Sequence, residues 1–202
     1  MSDLKNILSL LLFCIFLISY LLKLLILYKK NHIKGNVLAK GSKLSKIHYI
    51  ELLVKTSTFL WGAAWFVFSV AESFMVTLVG KPFDIPVIHF SGVGVAALGC
   101  FIFIQAMIAM RTSWRVGIDK TTVTKLITHG IYKYSRNAAF VGFDLMFLGM
   151  YLMYPNLLTL LIFILNIAAI HLLILQEEQH LKSVFRDEYI QYSNNTPRYF
   201  LF

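Results

Sequence analysis

Long apolar runs constrain the fold of this 202-residue chain more than any other feature of its sequence. A helix needs about 20 mostly apolar residues to cross a bilayer. Three runs reach that length singly, and they cover residues 7–28, 50–79 and 86–110. A fourth run, 138–175, is interrupted at 154–156 by Tyr-Pro-Asn, and proline breaks a helix because it lacks a backbone donor. We therefore predict five membrane-spanning helices, of which the last two form a tight hairpin with one short member.

The composition also indicates an all-α polytopic membrane protein. Hydrophobic residues make up 58% of the chain, charged residues only 14%, and the mean hydropathy is +0.70, which is far from the balance of a soluble protein. Cys14 and Cys100 both lie within apolar runs, so the sequence predicts neither a disulfide framework nor a thiolate metal site. We also predict no metal ion, because no His, Cys or carboxylate stands at ligand spacing around His89.

Lysine and arginine residues predict the orientation of the chain. The loops 29–49 and 111–138 hold six of them each, and the tail 176–202 adds three, whereas the opposite side has only Lys5 and Lys81. Because basic residues concentrate in cytoplasmic loops, we predict that the N-terminus is outside and the tail is cytoplasmic. This bias, together with anionic lipid headgroups, explains the net charge of +9 without a nucleic-acid partner.

Polar residues of the second and third spans are predicted to anchor the helices at the membrane surface. Glu51 and Lys55 are four residues apart, which favours an ion pair on one helix face near the cytoplasmic end. Glu72 lies far enough along the helix to reach the opposite interface, where we expect it to be solvated. His89 is expected to be interfacial.

The chain divides into two parts after the third span. Residues 1–110 contain three spans, and small residues at a period of four in the third span predict close helix packing in lipid; they are Gly92, Ala96 and Cys100. Residues 111–202 comprise a basic loop, the hairpin and the tail, and their charged and aromatic groups crowd one membrane face.

Several of these polar groups are predicted to meet in a pocket between the fourth and fifth helices. Glu177 and Glu178 follow the apolar run directly, and His171 shares a helical stripe with Glu178. Asn137 and Asp144 share a face of the fourth helix, and an acid within a membrane span needs a partner or a water-filled cavity. The alternative is structural: the two glutamates mark the interface, with Glu178 paired to a lysine four residues on, and Asp144 is paired. The predicted pocket contains Arg136, Asn137, Asp144, His171, Glu177 and Glu178.

The residues after Glu178 predict an amphipathic helix. Its apolar face comprises Leu181, Val184, Phe185, Tyr189 and Tyr192. Such a helix either lies at the membrane surface or covers the pocket.

The second part of the chain resembles the superfamily of isoprenylcysteine carboxyl methyltransferases and phospholipid methyltransferases. Five motifs carry the resemblance in order: Gly130-Ile131-Tyr132, Arg136-Asn137, Glu177-Glu178, Phe185 with Tyr189 and Tyr192, and Arg198. Three positions depart from the family pattern, because Ala138 replaces a proline, Phe140 a tyrosine and Arg186 a glycine.

The resemblance implies a cytoplasmic site for S-adenosylmethionine. Glu177 or Glu178 would hold the amino or ribose groups, Arg136 and Asn137 would face the methionine end, and Gly130 would allow close backbone approach. The implied catalytic residues are Arg136, Asn137, Glu177 and Arg198. The implied cofactor contacts are Lys125, Leu126, Ile127, His129, Gly130, Tyr132, Arg136, Asn137, Phe140, Glu177 and Glu178. The implied acceptor contacts are Trp114, Arg115, Asp144, His171, Tyr189, Tyr192 and Arg198.

The resemblance further implies methyl transfer to a lipophilic acceptor from the bilayer, of the isoprenylcysteine carboxylate type. A lipid amine, a thiol or a quinone-like lipid stays open, because Asp144 favours an amine and Arg198 favours an anion. A non-catalytic membrane module related to the family is the other class. A transporter is disfavoured, because the sequence has neither an inverted repeat nor paired broken helices.

Overall fold

The computed structural model describes residues 2–41, 43–80, 85–118 and 125–200, so Lys81 and Lys120 of the orientation argument lie outside the described residues. Within these ranges the fold is all-helical, and its one extended pairing is an isolated bridge between Asn36 and Val116. The five α-helices are α1 (Ser2–Asn31), α2 (Ser45–Val79), α3 (Pro86–Met110), α4 (Ala138–Met153) and α5 (Leu157–Asn195). Short 3₁₀ turns follow α3 at Arg111–Ser113 and precede α4 at Gly130–Lys133.

Four helices, α1, α2, α3 and α5, are long and apolar enough to cross a membrane. Helix α4 is apolar but has only 16 residues, and at 1.5 Å per residue it extends about 24 Å. The predicted short member of the hairpin is therefore present, while the candidate spans within the described residues number four.

The hairpin turns where the Tyr-Pro-Asn sequence predicts. The Asn156 side chain accepts a hydrogen bond from the Thr159 amide at 3.0 Å, and the Asn156 amide donates to the Thr159 hydroxyl at 3.2 Å. This reciprocal capping box satisfies backbone donors that would otherwise be unpaired at the start of α5. The same helix continues past the apolar run to Asn195, so the predicted amphipathic helix is the end of α5.

Helices α3 and α4 pack backbone against backbone, as the small-residue stripe predicts. A Cβ atom on Gly99 would lie 2.6 Å from the Gly142 carbonyl oxygen, and one on Gly149 would lie 2.6 Å from the Ala96 amide nitrogen. A Cβ atom on Gly92 would similarly lie 2.6 Å from the Met153 amide nitrogen. These contacts hold the start of α4 close to the end of α3, where the polar motifs lie.

The two basic segments lie at the same end of the helices. The Val37 amide donates to the Val116 carbonyl at 3.0 Å, and the Val116 amide donates to the Gly35 carbonyl at 2.8 Å. The end of α5 lies there too, since the Arg136 amide donates to the Pro197 carbonyl at 3.0 Å. The shared basic face agrees with the charge pattern, and its assignment to the cytoplasm stays a prediction.

The predicted roles of the polar residues in α2 and α3 are wrong. Glu51 is 0% exposed and binds Lys43, whereas Lys55 is exposed. Glu72 forms an ion pair with Lys5 at 2.5 Å, and its side chain is only 14% exposed. His89 is buried, with its Nδ1 2.9 Å from the Met153 carbonyl oxygen. The partners Lys43, Lys5 and Met153 all lie on other elements of the structure. Spacing within one helix cannot reveal such partners.

Candidate active site

A cavity of about 390 Å³ lies at the basic face. Its walls are the end of α3, the segments 113–118 and 125–127, the start of α4, and α5 from residue 177 to 192. Most residues of the predicted site line it: Trp114, Arg115, Lys125, Leu126, Ile127, Tyr132, Arg136, Asn137, Phe140, Glu177 and Tyr192. Seven others do not: His129, Gly130, Asp144, His171, Glu178, Tyr189 and Arg198.

Glu177 is the carboxylate that faces the cavity. Among the residues that the structure describes, it has neither a hydrogen bond nor an ion pair, although it borders the ligand-sized space. A carboxylate is a pure acceptor, so Glu177 suits an ammonium or hydroxyl donor of a bound molecule. Burial raises the pKa of the neighbouring Tyr132 above its ordinary value.

Glu178 instead holds protein groups together. It accepts hydrogen bonds from Asn137 Nδ2 at 2.9 Å, from Arg198 Nη2 at 2.8 Å and, more weakly, from Arg136 Nη2 at 3.3 Å. The predicted pairing with Lys182 is wrong, because Lys182 is exposed and the carboxylate points to the start of α4. Adjacent residues of a helix differ by about 100° in direction, which separates the two glutamates.

Arg136 connects the start of α4 to the end of α5. Its Nη1 donates to the carbonyls of Ser193 and Thr196, at 2.8 and 2.5 Å. These carbonyls lie in the last turn of α5 and at the residue that follows it, where acceptors have no partners within the helix. Arg136 lines the cavity, but its guanidinium is hydrogen-bonded to Glu178 and to the end of α5. Arg198 also binds Glu178 and does not line the cavity.

His171 and Asp144, two further residues of the predicted pocket, are not hydrogen-bonded to this cluster of Arg136, Asn137, Glu178 and Arg198. His171 Nδ1 lies 2.7 Å from the hydroxyl of Tyr199, and the two rings stack. Asp144 Oδ1 is buried with no partner in the described part of the chain. The single pocket predicted for six residues is thus wrong: Arg136, Asn137 and Glu177 reach the cavity, and Asp144, His171 and Glu178 do not.

The end of α5 lines the cavity, which supports the second of the two predicted positions of the amphipathic segment, while its position relative to a membrane surface stays a prediction. Leu181, Val184 and Phe185 line the cavity, and the Tyr192 hydroxyl donates to the Tyr132 carbonyl at 2.7 Å. Tyr189 is 4% exposed and packs against Tyr192 without reaching the cavity.

Gly130 and His129 lie beside the cavity wall, and neither borders the cavity itself. Gly130 has φ +64°, and a Cβ atom there would come no closer than 3.5 Å, to Ala109. The glycine is therefore favoured by its backbone conformation and not by the close approach we predicted. His129 is exposed and begins the 3₁₀ turn.

Sequence reasoning missed part of the cavity wall. His180 lies three residues after Glu177, the spacing that places it on the same helix face, so this residue could have been found. Val116, Gly117 and Ile118 also line the cavity. Their positions depend on contacts with the loop between α1 and α2, which no local pattern reveals.

Helix α5 bends at Arg186, the position where the family pattern has glycine. Arg186 has φ +45° and ψ −118°, a conformation that residues with a side chain rarely adopt. The bend follows Phe185 directly and turns the tyrosine-bearing segment toward the start of α4.

Replacing Arg186 with glycine should stabilise the protein. A strained residue of this kind costs about 1–3 kcal/mol, and glycine removes the strain at a smaller entropic cost. We expect Arg186→Gly to raise the midpoint of thermal unfolding in detergent. Lys182→Gly, in the regular and exposed part of the same helix, should lower stability by about 1 kcal/mol. If both changes lowered the midpoint equally, the strain at Arg186 would be refuted.

The sequence profile of the phospholipid methyltransferase family matches residues 87–188, just over half of the chain. The chain belongs to this family. Its superfamily of membrane methyltransferases also includes the isoprenylcysteine carboxyl methyltransferases. The family match spans α3, α4 and most of α5, the helices that line the cavity, and begins after α1 and α2. No curated protein and no solved structure gives a significant match.

Proposed function

We propose that this chain transfers the methyl group of S-adenosylmethionine to a lipophilic acceptor that enters from the bilayer, as isoprenylcysteine carboxyl methyltransferases do. Membership of the phospholipid methyltransferase family supports a membrane methyltransferase. The observation that carries the proposal is the cavity at the basic face, whose wall includes Glu177, a residue with no partner among those that the structure describes. Its volume of about 390 Å³ lies within the range of small-molecule sites.

The residues of the cavity fit the chemical groups of this cofactor. Glu177 supplies an acceptor for the amino group or the ribose hydroxyls. Leu126, Ile127 and Phe140 supply apolar surface that suits an adenine ring. Glu178 is not a cofactor contact in this proposal, because its oxygens are already bound by protein donors.

Bound S-adenosylmethionine would supply a methyl group on a positively charged sulfur: a bond from the acceptor nucleophile to the methyl carbon would form as the carbon–sulfur bond breaks, and S-adenosylhomocysteine would leave as a neutral thioether. The protein aligns the two reactants and excludes water. Leu181, Val184 and Phe185 supply apolar surface on one side of the cavity. Arg136 and Asn137 fix the wall between α4 and α5.

Two of the three departures from the family pattern, at Ala138 and Phe140, do not disrupt the local fold. Ala138 is the first residue of α4 and is fully buried, so the helix begins there without a proline. Phe140 lines the cavity, where it contributes apolar surface in place of a hydroxyl. Both observations favour the enzyme over a non-catalytic relative.

N-methylation of a phospholipid amine is the alternative activity, and the description of the matched family favours it. In the sequence analysis, Asp144 favoured an amine acceptor and Arg198 favoured an anionic one. Neither residue borders the cavity. Trp114 and Arg115 do border it and remain proposed acceptor contacts, whereas Tyr189 does not.

Calorimetric titration of the detergent-purified protein with S-adenosylhomocysteine tests the proposal. We expect saturable binding to the native protein. Transfer of labelled methyl groups to prenylated cysteine and to phosphatidylethanolamine then separates the two activities. A well-folded native protein that bound no S-adenosylhomocysteine would make a non-catalytic module the better interpretation.

A further inference from the structure

Glu51 has no side-chain exposure, yet it lies on α2, outside the matched family region. Its carboxylate is bound from both basic segments. Oε2 accepts from the Ala39 amide at 2.7 Å, and Oε1 accepts from the Ile118 amide at 2.8 Å. Lys43 lies against both oxygens, at 2.8 and 2.6 Å. One side chain therefore joins the loop after α1 to the segment after α3.

The backbone around these contacts is shaped to reach the carboxylate. Ala39 and Gly117 both have positive φ, +54° and +91°. A Cβ atom on Gly117 would lie 2.8 Å from Leu38 Cα and 3.1 Å from Glu51 Oε1. The two segments thus meet with no room for a side chain between them, and Lys43 also donates to the Val37 carbonyl at 2.9 Å.

The segment held in this way is a wall of the cavity. Val116, Gly117 and Ile118 all line it, and the amides of Val116 and Ile118 are both hydrogen-bonded to the groups behind them. Glu51 itself does not line the cavity. Its hydrogen bond to the Ile118 amide reaches the cavity through this wall.

We propose that Glu51 is a positioning residue that holds the 116–118 wall in place and thereby sets the affinity of the cavity for its cofactor. The cofactor part rests on the proposed function. The inference extends the site beyond the matched family region, and it gives the first two helices a role in ligand binding: α1 and α2 carry the loop and the glutamate that support the wall.

The test replaces the ion pair with uncharged side chains of similar size, in the double variant Glu51→Gln, Lys43→Met. A glutamine has one acceptor oxygen in place of two, so one of the two segments loses its bond. The chain offers a matched control at the opposite face. Lys5 and Glu72 form a buried ion pair of similar length, and the variant Lys5→Met, Glu72→Gln removes it far from the cavity.

We expect the Glu51 double variant to bind S-adenosylhomocysteine at least about tenfold more weakly than the native protein, because small displacements of a wall are costly to an aligned ligand. The Lys5 double variant should bind like the native protein at a temperature where both are folded. Equal losses in the two variants, or native affinity in the Glu51 variant, would overturn the proposal.

Hydrogen exchange measured by mass spectrometry supplies a readout that needs no ligand. Amides of the 114–118 segment should lose protection in the Glu51 double variant and keep it in the control. If the native protein bound no S-adenosylhomocysteine, the proposed function would fail, and unchanged exchange in this segment would separately refute the positioning role. Should the Glu51 variant fail to fold, Gly117→Ala separates the same segments and should also weaken binding. Gly94→Ala is its control, since a Cβ atom there meets nothing within 4 Å.

Discussion

Glu177→Gln is expected to weaken S-adenosylhomocysteine binding by about tenfold to a hundredfold, the range for losing one hydrogen bond to a charged group. The carboxylate has no protein partner in the described structure, so the change breaks no bond within the fold. The midpoint of thermal unfolding should therefore stay the same. Calorimetry and thermal unfolding of the same preparation measure both effects.

Glu188→Gln is the matched control for this experiment. Glu188 lies on the same helix, is exposed and does not line the cavity. It should leave both affinity and stability unchanged. Native affinity in Glu177→Gln would show that this carboxylate is not a ligand contact, and an unfolded Glu177 variant would show that it has a structural role.

The number of helices and the turn of the hairpin were predictable because they depend on local chemistry. Apolar length defined the helices, and proline and asparagine defined the turn at 154–156. The small residues Gly92, Ala96 and Cys100 predicted close helix packing, and the structure identifies α4 as the partner of α3. Each of these signals lies within one stretch of sequence. The helix predicted after Glu178 is present, and the structure adds that it continues α5 and bends at Arg186.

The site was only partly predictable for the same reason. The family motifs identified Arg136, Asn137 and the glutamate pair, but the pattern could not tell which glutamate faces the cavity. That choice depends on the direction of α5 relative to α4, which is a tertiary property. The partners of Glu51 and Glu72 were missed because they lie on other elements, 8 and 67 residues away along the chain.

Glu178→Ala should have the largest effect on stability. The change leaves Arg136, Asn137 and Arg198 without their shared acceptor, and the Arg136 side chain is only 13% exposed. Loss of one partner of a buried charge pair costs about 3–5 kcal/mol. Arg198 is 36% exposed and can be solvated, so we expect a loss nearer to about 3 kcal/mol, measured as a lower midpoint of thermal unfolding.

The same change should also release the residues after α5. Arg198 and Asn137 join that segment to the start of α4 through Glu178 and through the Arg198 carbonyl. Trypsin should then cleave after Arg198 faster in Glu178→Ala than in the native protein, as measured by mass spectrometry. Glu177→Gln should not accelerate this cleavage, because Glu177 has no bond to the segment. A segment equally resistant to trypsin in both variants would contradict the role of Glu178 as the link between α4 and α5. The expected pair of results would assign ligand binding to Glu177 and structural support to Glu178.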